Sequence, residues 1–278
     1  MDGREIRLKR LMGEGRAVGI AIDHGLFDGP IPAMEDLPAT ARKINPAVDA
    51  VLLAPGMVRH CSAIFAGQRR PLAVMRLNWN TVYCFHWNYR EAKSVPAYGA
   101  EEALREGMDV ALVSLTLQTG SEERDAANVE CFARLTTQMH ALGIPVIGEY
   151  FPTGHQQMTP AQLHADVKTG ARIVAELGAD VIKTFNTEKF REVTGTCPVP
   201  VLGLGAEKLP TQLAALTLAS AEVAAGAGGV VFGRNAIQVA DPHAFQAALC
   251  DVVKFNVAPA QALAKHKLTQ EGESDESL

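Results

Sequence analysis

No Cys-x-x-Cys pair occurs in this chain, and its five cysteines, Cys61, Cys84, Cys131, Cys197 and Cys250, are odd in number and far apart. That spacing argues against a disulfide framework or a cysteine zinc site and fits reduced thiols in the cytoplasm. A basic excess is missing too. The 26 Lys and Arg against 31 Asp and Glu leave a net charge of −5, whereas nucleic acid or an anionic membrane surface selects a basic face. Small molecules are then the expected partners. No apolar segment follows the charged start Met1-Asp2-Gly3-Arg4, so no secretory signal is expected. The most apolar window, 213–232, carries Glu222 with Gly226, Gly228 and Gly229, which reads as a helix followed by a strand and not as a membrane span. The chain also lacks a Gly-x-Gly-x-x-Gly fingerprint after its first apolar run, which counts against an open dinucleotide-type sheet. Paired His/Glu metal spacing is absent as well, so neither a metal nor another cofactor is expected.

What is present is a repeat of short apolar runs and helical patterns. The runs fall at Ala17–Ile22, Ala50–Leu53, Leu72–Met75, Val110–Val113, Pro145–Ile147, Asp180–Ile182, Val199–Leu202 and Gly229–Phe232. Most are continuous in polarity, as expected of strands covered on both faces. Helical patterns lie between them at Asp36–Ile44, Gly99–Glu106, Ser121–Leu142, Pro160–Leu177 and Pro210–Ala225. Ser121 ahead of Glu122 and Glu123, and Thr159 ahead of Pro160, read as helix starts. About eight strand–helix units predict a single-domain α/β protein, a (β/α)8 TIM barrel over residues 1–268. The acidic tail 269–278 has no apolar anchor and reads as disordered.

In such a barrel chemistry gathers where strands end. Those ends carry Asp23-His24-Gly25, Arg76, Glu149-Tyr150, Lys183, Gly203 and Gly205, and Gly233-Arg234. Each has a plain alternative: Asp23 as a turn residue beside Gly25, Arg76 on the surface, Lys183 as a solvated lysine where a strand meets its loop. The last two loops add a second signal. Glycines let backbone N–H groups approach an anion and Arg234 offers a fork of donors, so the substrate is expected to be phosphorylated.

The stretches Ile20 to Pro30, Val181 to Lys189, Cys197-Pro198-Val199-Pro200, Lys208-Leu209-Pro210 and Gly233-Arg234-Asn235-Ala236-Ile237-Gln238 together resemble the class I, Schiff-base aldolases of the DeoC and archaeal-type fructose-bisphosphate aldolase group. That family also includes a thiolase acting on phosphorylated autoinducer-2. The resemblance implies a Schiff-base lysine at Lys183, a strand-end aspartate at Asp23, and phosphate contacts at Gly205, Gly233 and Arg234. It further implies a homo-oligomer, up to a decameric ring. One departure stands out: the aldolases' Tyr-Pro-Arg-Gly segment is here Phe151-Pro152-Thr153-Gly154, so their proton-moving tyrosine falls on Phe151.

The expected chemistry follows from the lysine. An amine at Lys183 attacks a carbonyl, and the resulting iminium draws electrons from the bond to be broken. Asp23 and Glu149 are the candidate bases, with Glu149 on the same side of its strand as Phe151. Tyr150 is kept as a second proton donor. His24 and Arg76 join Gly203, Gly205, Gly233 and Arg234 as candidates for holding the substrate and its phosphate. Three functions stay open: an aldolase on a phosphorylated ketose, a thiolase passing an acyl group to coenzyme A, and a sugar-phosphate-binding barrel without catalysis. The aromatic stretch Leu77–Tyr89 reads equally as a lid over the site or as a subunit contact.

Overall fold

The apolar runs become the staves of a closed parallel barrel. The computed structural model describes residues 2–269 other than Glu14, Arg69 and Arg90, so the acidic tail from residue 270 onward lies outside the described residues. The barrel strands are β1 (Ala17–Ala21), β2 (Ala50–Leu53), β3 (Leu72–Arg76), β6 (Val110–Leu115), β7 (Val146–Tyr150), β8 (Val181–Phe185), β9 (Val201–Leu204) and β10 (Gly229–Phe232). Their order around the barrel is β1-β10-β9-β8-β7-β6-β3-β2, with β1 closing onto β2. Outside it, β4 (Asn78–Asn80) and β5 (Ser94–Pro96) form an antiparallel pair after β3. Helices follow the strands, and their starts obey local chemistry. The Ser121 hydroxyl accepts the Arg124 N–H at the head of helix Glu122–Ala141, and Thr159 with Gln162 forms a capping box ahead of Pro160–Glu176.

Inside the barrel the residues alternate inward and outward with period two. The lower interior is apolar, built from Leu52, Val74, Leu112, Ile147, Val181, Leu202 and Val231 around Leu11 of the first helix, Gly3–Met12. Five strands, β3 and β6 to β9, run past the ends that their apolar runs suggest. Glu149 and Lys183 sit within β7 and β8, and Gly203 sits within β9. The continued backbone ladder fixes their direction, since Glu149 and Lys183 are register partners. Among the described residues no helix is long and apolar enough to cross a membrane.

Candidate active site

Two residues above Ile147 and Val181, on the same inward side, the apolar interior gives way to charge. The Lys183 ammonium donates to Glu149 Oε1. Arg76 Nη2 donates to Glu149 Oε2 at 2.6 Å, and Arg76 Nε donates to Asp23 Oδ2 at 2.5 Å. All four side chains are buried: Asp23 and Lys183 are 6% exposed, Arg76 2% and Glu149 1%. Charges removed from water persist only when paired and hydrogen-bonded, and this chain Asp23–Arg76–Glu149–Lys183 satisfies that with two cations and two anions. Lys183 is thus no solvated lysine at a strand's wet end.

A fifth member comes from outside the barrel. The Tyr83 hydroxyl donates to Glu149 Oε2 at 2.8 Å, and the Arg76 guanidinium carbon lies 4.7 Å from the Tyr83 ring and 5.2 Å from that of Phe27. Tyr83 belongs to the aromatic stretch after β3. Asn80 caps the turn Thr81–Tyr83 that lowers it onto the site, accepting the Val82 N–H at 3.0 Å. The stretch is tied down over the loop after β1, since Trp79 and Trp87 donate to the Leu26 and Phe27 carbonyls, each at 3.1 Å. These bonds lay the stretch over the loop after β1, while Phe85, Trp87 and Tyr89 stay exposed.

Electrostatics set the proton inventory. Burial opposes charge on Glu149, but Arg76 and Lys183 outweigh it and hold the carboxyl down at about 2. Burial and then the Glu149 charge keep the Tyr83 phenol well above its ordinary value, so it remains a donor. Burial also lowers His24 to about 4, with Arg234, Lys183 and Arg76 adding to it against Asp23, so this imidazole is neutral near pH 7. Gly233 makes room for it: a Cβ there would lie 2.4 Å from His24 Cε1.

Beside His24 the ends of β9 and β10 form a cradle. Arg234 Nη2 donates to the Ala206 carbonyl at 3.0 Å. Asn235 Nδ2 donates to the carbonyls of Gly205 and Glu207, at 2.7 and 2.8 Å, while its Oδ1 accepts the Leu209 N–H at 2.7 Å. That asparagine therefore holds the loop carrying Gly205. Glu207 turns away toward the loop after β7 and accepts from Gln156 at 3.3 Å. Arg76 Nη1, His24 Nδ1 and Arg234 Nε are buried without a partner among the described residues, which sets them apart from most buried polar atoms.

Two expected site residues are elsewhere. Tyr150 points outward from β7, its hydroxyl donating to Asp166 at 2.9 Å on helix Pro160–Glu176, where Gly170 leaves room for the ring. Alternation along the strand is the reason: with Glu149 inward, Tyr150 cannot be. Gly203 likewise faces outward, since a Cβ on it would lie 2.1 Å from Glu222 Cδ, and it packs a helix, not a phosphate. Sequence reasoning missed Tyr83 and Asn235. The latter stood in the Gly-Arg-Asn motif as a signal, and the former only in an aromatic cluster. Among the described residues no group of three or more His, Cys, Asp and Glu side chains is placed to hold a metal ion.

Comparison with known proteins adds a family to this geometry. Residues 17–239 match the DeoC/LacD family aldolases. An uncharacterised aldolase of Saccharolobus solfataricus is 30% identical over 268 residues, covering 95% of this chain and 98% of its own. The 3-hydroxy-5-phosphonooxypentane-2,4-dione thiolase of Enterobacter sp. is 28% identical over 274 residues, 98% of this chain and 88% of its own. Among solved structures, an archaeal fructose 1,6-bisphosphate aldolase superimposes with a TM-score of 0.73 at 25% identity, over 89% of this chain and 98% of its own. A Schiff-base-forming fructose-1,6-bisphosphate aldolase studied through its reaction intermediates superimposes with the same score, 0.73, at 27% identity, with the same coverage of 89% and 98%.

Proposed function

This chain belongs to the DeoC/LacD family of aldolases, and we propose that it is a class I enzyme that makes or breaks a carbon–carbon bond in a phosphorylated ketose without a metal. The observation that carries this reading is the buried Lys183–Glu149 pair at the C-terminal end of the barrel, extended by Arg76 to Asp23. Glu149, in contact with Lys183 Nζ, first takes a proton from the ammonium, and the neutral amine attacks the substrate carbonyl carbon. A second proton passes from that nitrogen to the oxygen, giving a hydroxyl, and Glu149 returns the first to it, so that the oxygen leaves as water and the iminium forms. Arg76 and Tyr83 hold Glu149 in place for both transfers. Asp23, bound through Arg76, accepts the proton of the hydroxyl whose carbon leaves as an aldehyde, while the bond's electron pair moves into the iminium to form the enamine. Protonation and hydrolysis of the enamine release the second product and free Lys183. Arg76 Nη1, which has no partner among the described residues, is the donor we assign to the oxygen developing charge in these steps. Gly205, Gly233, Arg234 and neutral His24 take the phosphate.

A second reading has its own support, the match to thiolases over 98% of the chain, together with Phe151 in place of the aldolase tyrosine. In it the same lysine adduct loses an acyl group to coenzyme A. The reading also carries a cytoplasmic homo-oligomer, supported by five unpaired cysteines and by the resemblance. Cleavage of a panel of ketose phosphates in EDTA, with and without coenzyme A, tests it. Aldehyde and dihydroxyacetone phosphate in equal amounts, independent of coenzyme A, are the expected products; a strict requirement for coenzyme A with acyl-thioester formation selects the thiolase.

A further inference from the structure

The mouth of the barrel is divided. On the side of β9, β10 and β1 it is made of glycines, Arg234 and His24. On the side of β7 and β8, two residues beyond Glu149 and Lys183, stand Phe151, directly after the end of β7, and Phe185, the last residue of β8. Their ring centroids are 4.9 Å apart, and the His155 ring sits 5.0 Å from one and 4.9 Å from the other. Tyr83 continues the surface 4.5 Å from Phe151, Phe27 follows 4.7 Å from Tyr83, and Phe85 stands at the rim 6.5 Å from Phe151. Phe27, Tyr83, Phe151 and Phe185 are buried while Phe85 is 46% exposed, so the wall runs from solvent down to the charged layer. Arg76, which lies over the Phe27 and Tyr83 rings, is neutralised by Asp23 and Glu149. The charge felt by His155 is the anionic Glu207, and burial keeps its imidazole below the ordinary value and hence uncharged near pH 7.

A substrate bound as a Schiff base on Lys183 with its phosphate in the glycine cradle must lay its other end against this wall. A second phosphate there would lose its water without gaining a cation, and would face aromatic rings whose faces are negative. We propose that the fragment released as an aldehyde, and taken up in the reverse reaction, is an uncharged apolar aldehyde of the branched-alkyl or aryl class and not a phosphorylated triose. This rests on the Schiff-base reading above. In the synthetic direction the enamine of dihydroxyacetone phosphate attacks the aldehyde carbon. One carbon–carbon bond forms, the aldehyde oxygen takes a proton, and water then hydrolyses the iminium to free Lys183 and one ketose phosphate.

The test supplies the wild-type protein with dihydroxyacetone phosphate and, in separate reactions, glyceraldehyde 3-phosphate, 3-methylbutanal or benzaldehyde, with product measured by mass spectrometry and a parallel borohydride trap on the donor alone. The expected result is kcat/KM at least tenfold higher for one of the apolar aldehydes than for glyceraldehyde 3-phosphate. Equal or better use of the triose phosphate overturns the proposal, as does a trapped adduct on Lys183 with no product from either apolar aldehyde. Absence of both adduct and product removes the Schiff-base reading itself and the proposal with it.

Discussion

The lower and upper halves of the barrel interior are made by the same strands, two residues apart, and have opposite chemistry. Below, Val74, Ile147 and Val181 meet in an apolar cluster closed by Leu11. Above, Arg76, Glu149 and Lys183 meet as paired charges. The lower layer gains its stability from area removed from water, about 25 cal/mol per Å². The upper layer gains little net stability, since pairing must first offset the desolvation of four charges. The difference teaches that the lower layer holds the strands, whereas the upper layer adds little to stability and, on the function proposed above, acts on the substrate.

That division is broken most severely at the nitrogen. Lys183→Met removes the nucleophile and is expected to lower turnover by about 10⁴-fold or more, read in a steady-state cleavage assay, while the fold survives because Glu149 keeps Arg76 and Tyr83. Glu149→Gln retains shape but not the base, and about a 10³-fold fall in kcat is expected. The same variant sharpens the electrostatic side. Glu149 is held at about 2 against its ordinary 4.5, so its charge contributes stability in full above that ordinary value and loses it as pH falls toward 2. The wild-type Tm should therefore drop more steeply than the variant's as the pH is lowered through that window, a difference worth about 3 kcal/mol in full. Ile147→Ala, two residues below, reverses the pattern. It should cost about 2–4 kcal/mol in denaturant unfolding while kcat of the folded enzyme stays within about threefold. The smallest effect is expected from Tyr83→Phe. Removing one donor to a charged carboxylate lowers kcat about tenfold and moves the acid limb of the pH–rate profile upward, because the charged form of Glu149 loses a stabilising bond.

Much of this was legible in the chain itself. The continuous runs at Ala50–Leu53 and Gly229–Phe232 coincide with β2 and β10, because strands buried on both faces need unbroken apolar sequence. Asp23, Arg76, Glu149 and Lys183 stood out as polar groups at the ends of such runs. The errors also have physical causes. Reading Glu149-Tyr150 as a pair ignored that neighbours on a strand face opposite ways, and the same alternation turns Gly203 toward Glu222. Tyr83 was hidden because its partner is 66 residues away and because a capped turn, not a strand end, delivers it. The division of the mouth into a glycine cradle and an aromatic wall was equally hidden, since Phe27, Tyr83, Phe151 and Phe185 come from four separate parts of the chain.

The claim at the centre is a covalent bond between Lys183 and a ketone. Intact-protein mass after sodium borohydride treatment with dihydroxyacetone phosphate, in EDTA, measures it on the wild type and on Lys183→Met. The account predicts a single reduced adduct on the wild type, mapped to the peptide containing Lys183, and none on the variant. An unmodified wild-type mass, or an adduct that persists on Lys183→Met, would contradict it.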